Sequence, residues 1–165
     1  MYNTTYTTRY WYHHNTTTSS PSTDGNFPFL PLQCTSPKTV SLTESWRNNY
    51  GRRGYHKDAG IYDEGRTWFR FTGKAGNQLK NTCPNQYSCG SSAAYWSDDR
   101  MPSSVGETLH FYMYESLYSG DHQSFCKERK FRSKATLCSN DGDYVYLLEE
   151  RMSDGYDTLC GKHQL

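Results

Sequence analysis

Six cysteines set against a scarcity of aliphatic side chains constrain this chain more than any other feature. Cys34, Cys83, Cys89, Cys126, Cys138 and Cys160 lie in a sequence of 165 residues in which Leu, Ile, Val and Phe together number only 22. So small a share falls below the roughly 20% at which a chain of high net charge stays disordered. The net charge here is only +1, and fifteen Tyr and four Trp supply bulk that the aliphatics do not. Each buried aromatic removes about 150–250 Å² from water. A long-loop disulfide adds on the order of 4 kcal/mol in the chain-entropy account. An even cysteine count is what a fully oxidised chain shows, although six cysteines leave the pairing open. The expectation is a thin, aromatic, cross-linked core of the secreted type. The alternative, a cytosolic protein with free thiols, is disfavoured by that thin core.

Residue alternation points to strands. In Trp68-Phe69-Arg70-Phe71, Trp68 and Arg70 fall on one face and Phe69 and Phe71 on the other, and Thr72 to Gly76 then reads as a glycine-punctuated turn. Cys83 and Cys89 follow, the second beside Gly90. Asn140 to Gly142 marks a further turn ahead of an alternating strand from Tyr144 to Leu148. The basic run from Lys127 to Lys134 reads as a solvated strand or loop face. Many short strands between Gly-, Asn- and Asp-containing turns predict a mainly β, antiparallel, sandwich-like domain with short helices at most.

In their order, Trp46-Arg47, the unit from Trp68 to Gly76, Cys89-Gly90 and Tyr144-Val145-Tyr146 resemble the cysteine-rich domain that precedes the zona-pellucida module in the family of uromodulin and pancreatic granule glycoprotein 2. The resemblance covers Cys34 to Cys160. Family members usually carry ten cysteines here, and this chain lacks four of them. Tyr62 stands where a Cys precedes an Asp, the stretch around Met113 lacks one, Phe125 replaces the first of an adjacent pair, and a position at Gly155 or Tyr156 lacks the fourth. Position by position, the resemblance implies the bridges Cys34 to Cys138, Cys89 to Cys160 and Cys83 to Cys126. It also implies a non-catalytic glycoprotein module, of a kind that displays glycans to microbial lectins and rides on polymerising filament proteins.

Two regions follow: a Thr/Tyr-rich extended arm and linker over 1–33, and the cysteine-rich β domain over 34–165. Tyr2, Tyr6, Tyr10 and Tyr12 fall at even positions, so an extended arm carries one aromatic face. An isolated strand is not stable in water, so the arm either adds to a sheet edge, its own or a neighbouring subunit's, or remains a glycosylated leader. Asn3 and Asn15 each begin an Asn-Thr-Thr sequon. Thr4, Thr5, Thr7, Thr8, Thr16, Thr17, Thr18, Ser19 and Ser20 are candidates for O-glycosylation. No apolar run approaches the roughly 20 residues of a membrane span. No basic and apolar leader follows Met1, so the chain reads as a mature or truncated secreted product.

Catalytic readings are weak. Six histidines, at positions 13, 14, 56, 110, 122 and 163, have no spacing that assembles an acid–base pair, and no G-x-S-x-G elbow is present. No cofactor is expected. The spacing of Cys83 and Cys89 is too wide for a zinc knuckle, and Asn140, Asp141 and Asp143 lack the further carboxylates of a calcium loop, so no metal is expected. Balanced charge argues against nucleic acid. Trp46, Trp68, Phe71 and Tyr146 read as core, with Arg47 or Arg70 bridging carbonyls or an acid such as Asp63. An aromatic group of Tyr95, Trp96, His110, Phe111, Tyr112 and Tyr114 offers an alternative, a carbohydrate-stacking surface. The leading expectation is an extracellular structural or adhesive glycoprotein, with a fibril subunit joined through its arm as its more specific form. A lectin-like module comes second and a small secreted hydrolase or nuclease third.

Overall fold

A computed structural model of the chain describes residues 29–36, 38–48, 55–58, 67–85, 87–118, 124–150, 152 and 157–163. Residues 1–28 of the arm and linker, with both sequons and the four tyrosines, lie outside them, as do Tyr62, Asp63, Gly155 and Tyr156. Among the described residues there are nine strands: β1 (Val40–Leu42), β2 (Trp68–Phe71), β3 (Gln78–Leu79), β4 (Ala93–Trp96), β5 (Thr108–Tyr118), β6 (Ser124–Leu137), β7 (Tyr144–Leu148), β8 (Asp157–Leu159) and β9 (Gly161–Lys162). The described helical structure is one turn, α1 (Leu32–Thr35), and three 3₁₀ turns at Ser45–Arg47, Gly73–Ala75 and Ser88–Gly90.

The mainly β, disulfide-stapled class holds. Seven strands form one sheet in the order β1-β2-β7-β6-β5-β4-β8, and β3 pairs with β9 in a two-stranded ribbon. The sheet is mixed. The central pairs are antiparallel, whereas β1 runs parallel to β2 and β8 parallel to β4. A parallel neighbour needs a long connection rather than a tight turn, so no local signal announces it. Among the described residues the second layer is not a full second sheet. It is the β3–β9 ribbon with the 3₁₀ turns, laid over the core face.

Alternation decides that core face. Phe69 and Phe71 point inward, Trp68 and Arg70 outward. Tyr146 and Leu148 of β7, Phe131 and Ala135 of β6, Phe111 and Met113 of β5, Tyr95 and Leu159 complete the cluster. It is aromatic, as the composition requires: Phe69 stacks on Tyr146 at 5.5 Å between ring centroids, and Phe131 meets Tyr95 edge-on at 5.1 Å. The ribbon is tied to this layer by the Leu79 amide, which donates to the buried Tyr146 hydroxyl at 3.1 Å. Of the four aromatics expected in the core, Phe71 and Tyr146 are fully buried, while Trp46 and Trp68 are half-buried.

The cysteines bond as Cys34 to Cys138, Cys83 to Cys126 and Cys89 to Cys160, with Cα separations of 5.4, 5.6 and 5.3 Å. The first pins α1 to the end of β6, where Cys34, Cys138, Val145, Leu30 and Trp68 pack as a small cluster on the outer face. The second ties the loop after β3 to the start of β6. The third joins the Ser88–Gly90 turn to the residue after β8.

Around that third bridge sits a deeply buried charged pair. Arg47 and Asp58 are both buried and form a two-pronged pair, with Nη1 to Oδ2 at 2.6 Å and Nη2 to Oδ1 at 2.7 Å. The Arg47 Nε donates to Glu44 at 2.6 Å. Asp58 accepts from the Leu159 amide at 2.8 Å, and its own amide donates to the Asp157 carbonyl. Among the described residues the acids that meet Arg47 are Asp58 and Glu44; Asp63 lies outside them. Arg70 reaches the Cys34 carbonyl at 2.7 Å and Asp143 at 3.0 Å. Burial opposes the charge on Arg47, but the Asp58 and Glu44 carboxylates outweigh it and raise its pKa.

Breaking that pair on one side leaves a buried charge uncompensated. Arg47→Met or Asp58→Leu should each lower unfolding free energy by about 3–5 kcal/mol in denaturant titration, and the double variant Arg47→Met/Asp58→Leu should lose far less than their sum. Additive losses would show that the two side chains act independently.

Candidate functional site

The outer face of the β5–β6 hairpin holds the densest set of exposed polar and aromatic side chains described. β5 and β6 pair in register over His110↔Lys134, Tyr112↔Arg132 and Tyr114↔Lys130. Because side chains alternate, these six share one face while Phe111, Met113 and Phe131 enter the core. The aromatic group expected from the sequence is thereby divided. His110 is 66% exposed and Tyr112 38%, Tyr114 is half-buried, but Phe111, Tyr95 and Trp96 are buried. Tyr95 donates to Asp157 at 3.4 Å and the Trp96 indole to the Cys126 carbonyl at 2.9 Å, so neither ring is free to stack on a sugar. The expected six-residue stacking surface is corrected to three residues.

Cations lie against those rings. The Lys127 ammonium sits 4.2 Å from the Tyr114 centroid, and Lys130 sits 4.9 Å from that of Tyr112. On the neighbouring strand end, Glu149 accepts from Lys134 at 2.9 Å, lies 3.2 Å from His110 Nδ1 and is 3.7 Å from Arg132 Nε. The hydrogen bond from Lys134 leads in holding the Glu149 carboxyl below its ordinary range. Asp99 accepts from the Tyr112 amide at 2.7 Å and from the Tyr114 hydroxyl at 3.0 Å. Burial, followed by that bond to Asp99, pushes Tyr114 up to about 12. Asp99, His110, Phe111, Tyr112 and Arg132 border an open cleft of about 390 Å³.

The remaining candidates are scattered. His56 stacks on Trp46 at 4.2 Å over Gly90, which has φ +75° and where a Cβ would strike both rings. His110 is held by Glu149, His163 is exposed, and His13, His14 and His122 lie outside the described residues. Among the described residues no three His, Cys, Asp or Glu side chains form a metal-binding group. Asn140 to Gly142 is a turn, closed by the Gly142 amide donating to the Ser139 carbonyl at 3.2 Å.

One acid on the core side escaped the sequence reading. Glu115 sits opposite Tyr95 and Arg129, is fully buried, and its Oε2 accepts no hydrogen bond among the described residues, with the Arg129 Nε 3.5 Å away. The signal was legible, since Glu115 continues the inward series Phe111, Met113. Burial, with Asp157 nearby, raises its pKa. The folded state therefore holds this proton more tightly than the unfolded chain, so the stability it gives is complete below the ordinary glutamate range and is lost as pH rises through the raised value. Glu115→Gln should raise the thermal midpoint at pH 7 by about 2–4 °C and give no gain below about pH 4. A shift of equal size at both pH values would show that the charge is irrelevant.

Comparison with known proteins places these elements. The family of uromodulin-like cysteine-rich domains matches residues 69–161, from β2 to β9. Mouse uromodulin is 36% identical over 75 residues, which make up 44% of this chain and 11% of that protein. Rat uromodulin is 35% identical over 79 residues, 47% of this chain and 12% of that protein. The matched stretch thus spans about a ninth of the length of these relatives. The family is a non-enzymatic structural module, and the hydrolase and nuclease readings fall with it. With more than half of its residues under that match, and with Phe69, Gly76, Cys89-Gly90 and Tyr146 all at structural joints of the sheet and its cover, the chain belongs to the uromodulin-like domain family.

Proposed function

We propose that this chain is a non-catalytic extracellular structural or adhesive glycoprotein module that self-associates through the extended segment over 2–14. Membership in the uromodulin-like domain family supports the structural role, and three disulfides suit an oxidising, extracellular setting. In this reading Asn3 and Asn15 carry N-glycans, Thr4, Thr5, Thr7, Thr8, Thr16, Thr17, Thr18, Ser19 and Ser20 are open to O-glycosylation, and those glycans are what microbial lectins would meet.

The observation that carries the assembly step is the unequal state of the two sheet edges. At β8 the outer side is filled, because Asp58 bonds the backbone of both Asp157 and Leu159. At β1 the Leu42 carbonyl accepts from Thr72 on the β2 side. By the alternation of a strand, the Ser41 amide and carbonyl face the outer edge. Among the described residues no backbone group bonds that edge. An unpaired edge is a template for an added strand. Where the arm meets the domain, Phe29 is 94% exposed and Leu32 79%, apolar side chains suited to a contact between subunits.

A second reading, carbohydrate binding, is favoured by the cation–aromatic ladder of β5 and β6.

Sedimentation of the glycosylated chain should show concentration-dependent oligomers. Removing residues 1–20 should return it to monomer, and Ser41→Pro, which denies the edge a donor, should weaken association by about tenfold or more. Oligomers that survive both changes would exclude the arm and the β1 edge as the connection.

A further inference from the structure

Lys130, Arg132 and Lys134 occupy successive positions on one face of β6. At the rise of an extended chain they stand about 7 Å apart, so three cations line a path of about 14 Å. Each faces a ring across the ladder: Tyr114, Tyr112 and His110 respectively. The carboxylates nearby are largely committed. Glu149 serves Lys134, Arg132 and His110 together. Asp99 is taken up by the Tyr112 amide and the Tyr114 hydroxyl, and Asp98 by Lys127 at 2.9 Å. Glu128 precedes the file on β6 and is exposed. Among the described residues Lys130 has no carboxylate partner; its ammonium lies over the Tyr112 ring instead. Arg132 is 62% exposed.

This arrangement selects among saccharides. A neutral sugar must displace the Lys130 ammonium before it can stack on Tyr112, whereas an anionic group meets that ammonium directly. Three cations in so short a file call for a polymer with closely spaced anions, denser than one carboxylate on alternate rings. A nucleic acid also offers such a file. Its binders, however, carry a strong positive excess over the whole domain, and here the net charge is only +1. We infer that the outer face of β5 and β6 binds a sulfated polysaccharide, its sulfates held by Lys130, Arg132 and Lys134 and its sugar rings lying along Tyr112. The inference rests on the carbohydrate-binding reading above and names its ligand class.

The test is titration of the intact chain with heparin, hyaluronan and a neutral mannan. Heparin should bind, and its affinity should fall more than about tenfold between about 50 and about 200 mM salt, the response of a site that neutralises about three anions. The triple variant K130S/R132S/K134S should lose about tenfold or more in affinity with its thermal midpoint unchanged, since all three side chains point away from the core. Glu149→Gln frees the same cations from their shared carboxylate and should tighten heparin binding about twofold to fivefold, an effect that misfolding cannot imitate. Heparin binding equal in wild type and triple variant overturns the site. Competition by single-stranded DNA as strong as that by heparin overturns the saccharide assignment in favour of charge alone. Binding of mannan that the triple variant retains, with no binding of heparin, upholds the carbohydrate reading and defeats this inference; binding of none of the three defeats both.

Discussion

The buried pair of Arg47 and Asp58 is the contact on which the cover of this domain depends. Through it the Ser45–Arg47 turn, the 55–58 segment and the edge strand β8 share one set of hydrogen bonds. None of the three has an apolar face large enough to hold itself in place. A two-pronged guanidinium–carboxylate pair fixes direction as well as distance, which a greasy contact cannot do. Taking both charges out of water is costly, so the pair specifies the arrangement more than it stabilises it. Trp46 is brought by the same turn to stack on His56 above Gly90, and the Cys89 to Cys160 bridge closes the region from below.

A thin core explains why so much of the structure is cross-linked. Among the described residues, one face of a seven-stranded sheet is covered by a two-stranded ribbon and short turns rather than by helices or a second full sheet. Close backbone approaches replace bulky side chains there. Gly76 takes φ +98°, and a Cβ at Gly76 or Gly161 would overlap the opposing backbone of Lys162 or Ala75. Aromatic rings then fill the space between the layers, with Tyr146 touching Phe69, Phe71 and Phe111.

The opposite face of the sheet carries the exposed file of cations and rings. Among the described residues, α1 and the Cys34 to Cys138 bridge cover its β2–β7 end and the end of β6, where Gln33 bonds Thr136. Along the middle of β5 and β6, His110, Tyr112, Lys130 and Arg132 remain in solvent, and the long hairpin gives them regular spacing. A loop carrying the same residues would not hold cations and rings in register. The family match supports the reading of a structural module, while the charge pattern of this face is written in the individual residues of this chain.

Sequence alone determined the elements whose signal is local. Alternation in Trp68–Phe71 and in Tyr144–Leu148, the glycine turns at Gly73–Gly76 and Asn140–Gly142, and the cysteine count all act within a few residues, so the β class and the disulfide-dependent core were legible. The strand character of Lys127–Lys134 was legible too, but not what lies across from it. Tertiary structure alone decided that β1 runs parallel to β2 and that β8 runs parallel to β4, because those pairings join residues 29 and 64 positions apart, Val40 with Phe69 and Ala93 with Asp157, which no single tight turn connects. It also decided that Asp58 meets Arg47, and that Trp96 is buried on the outer face beside Tyr114 while Tyr112 stays in solvent. Such outcomes follow from which strands become neighbours, and register across a sheet is a property of two segments that neither one encodes by itself.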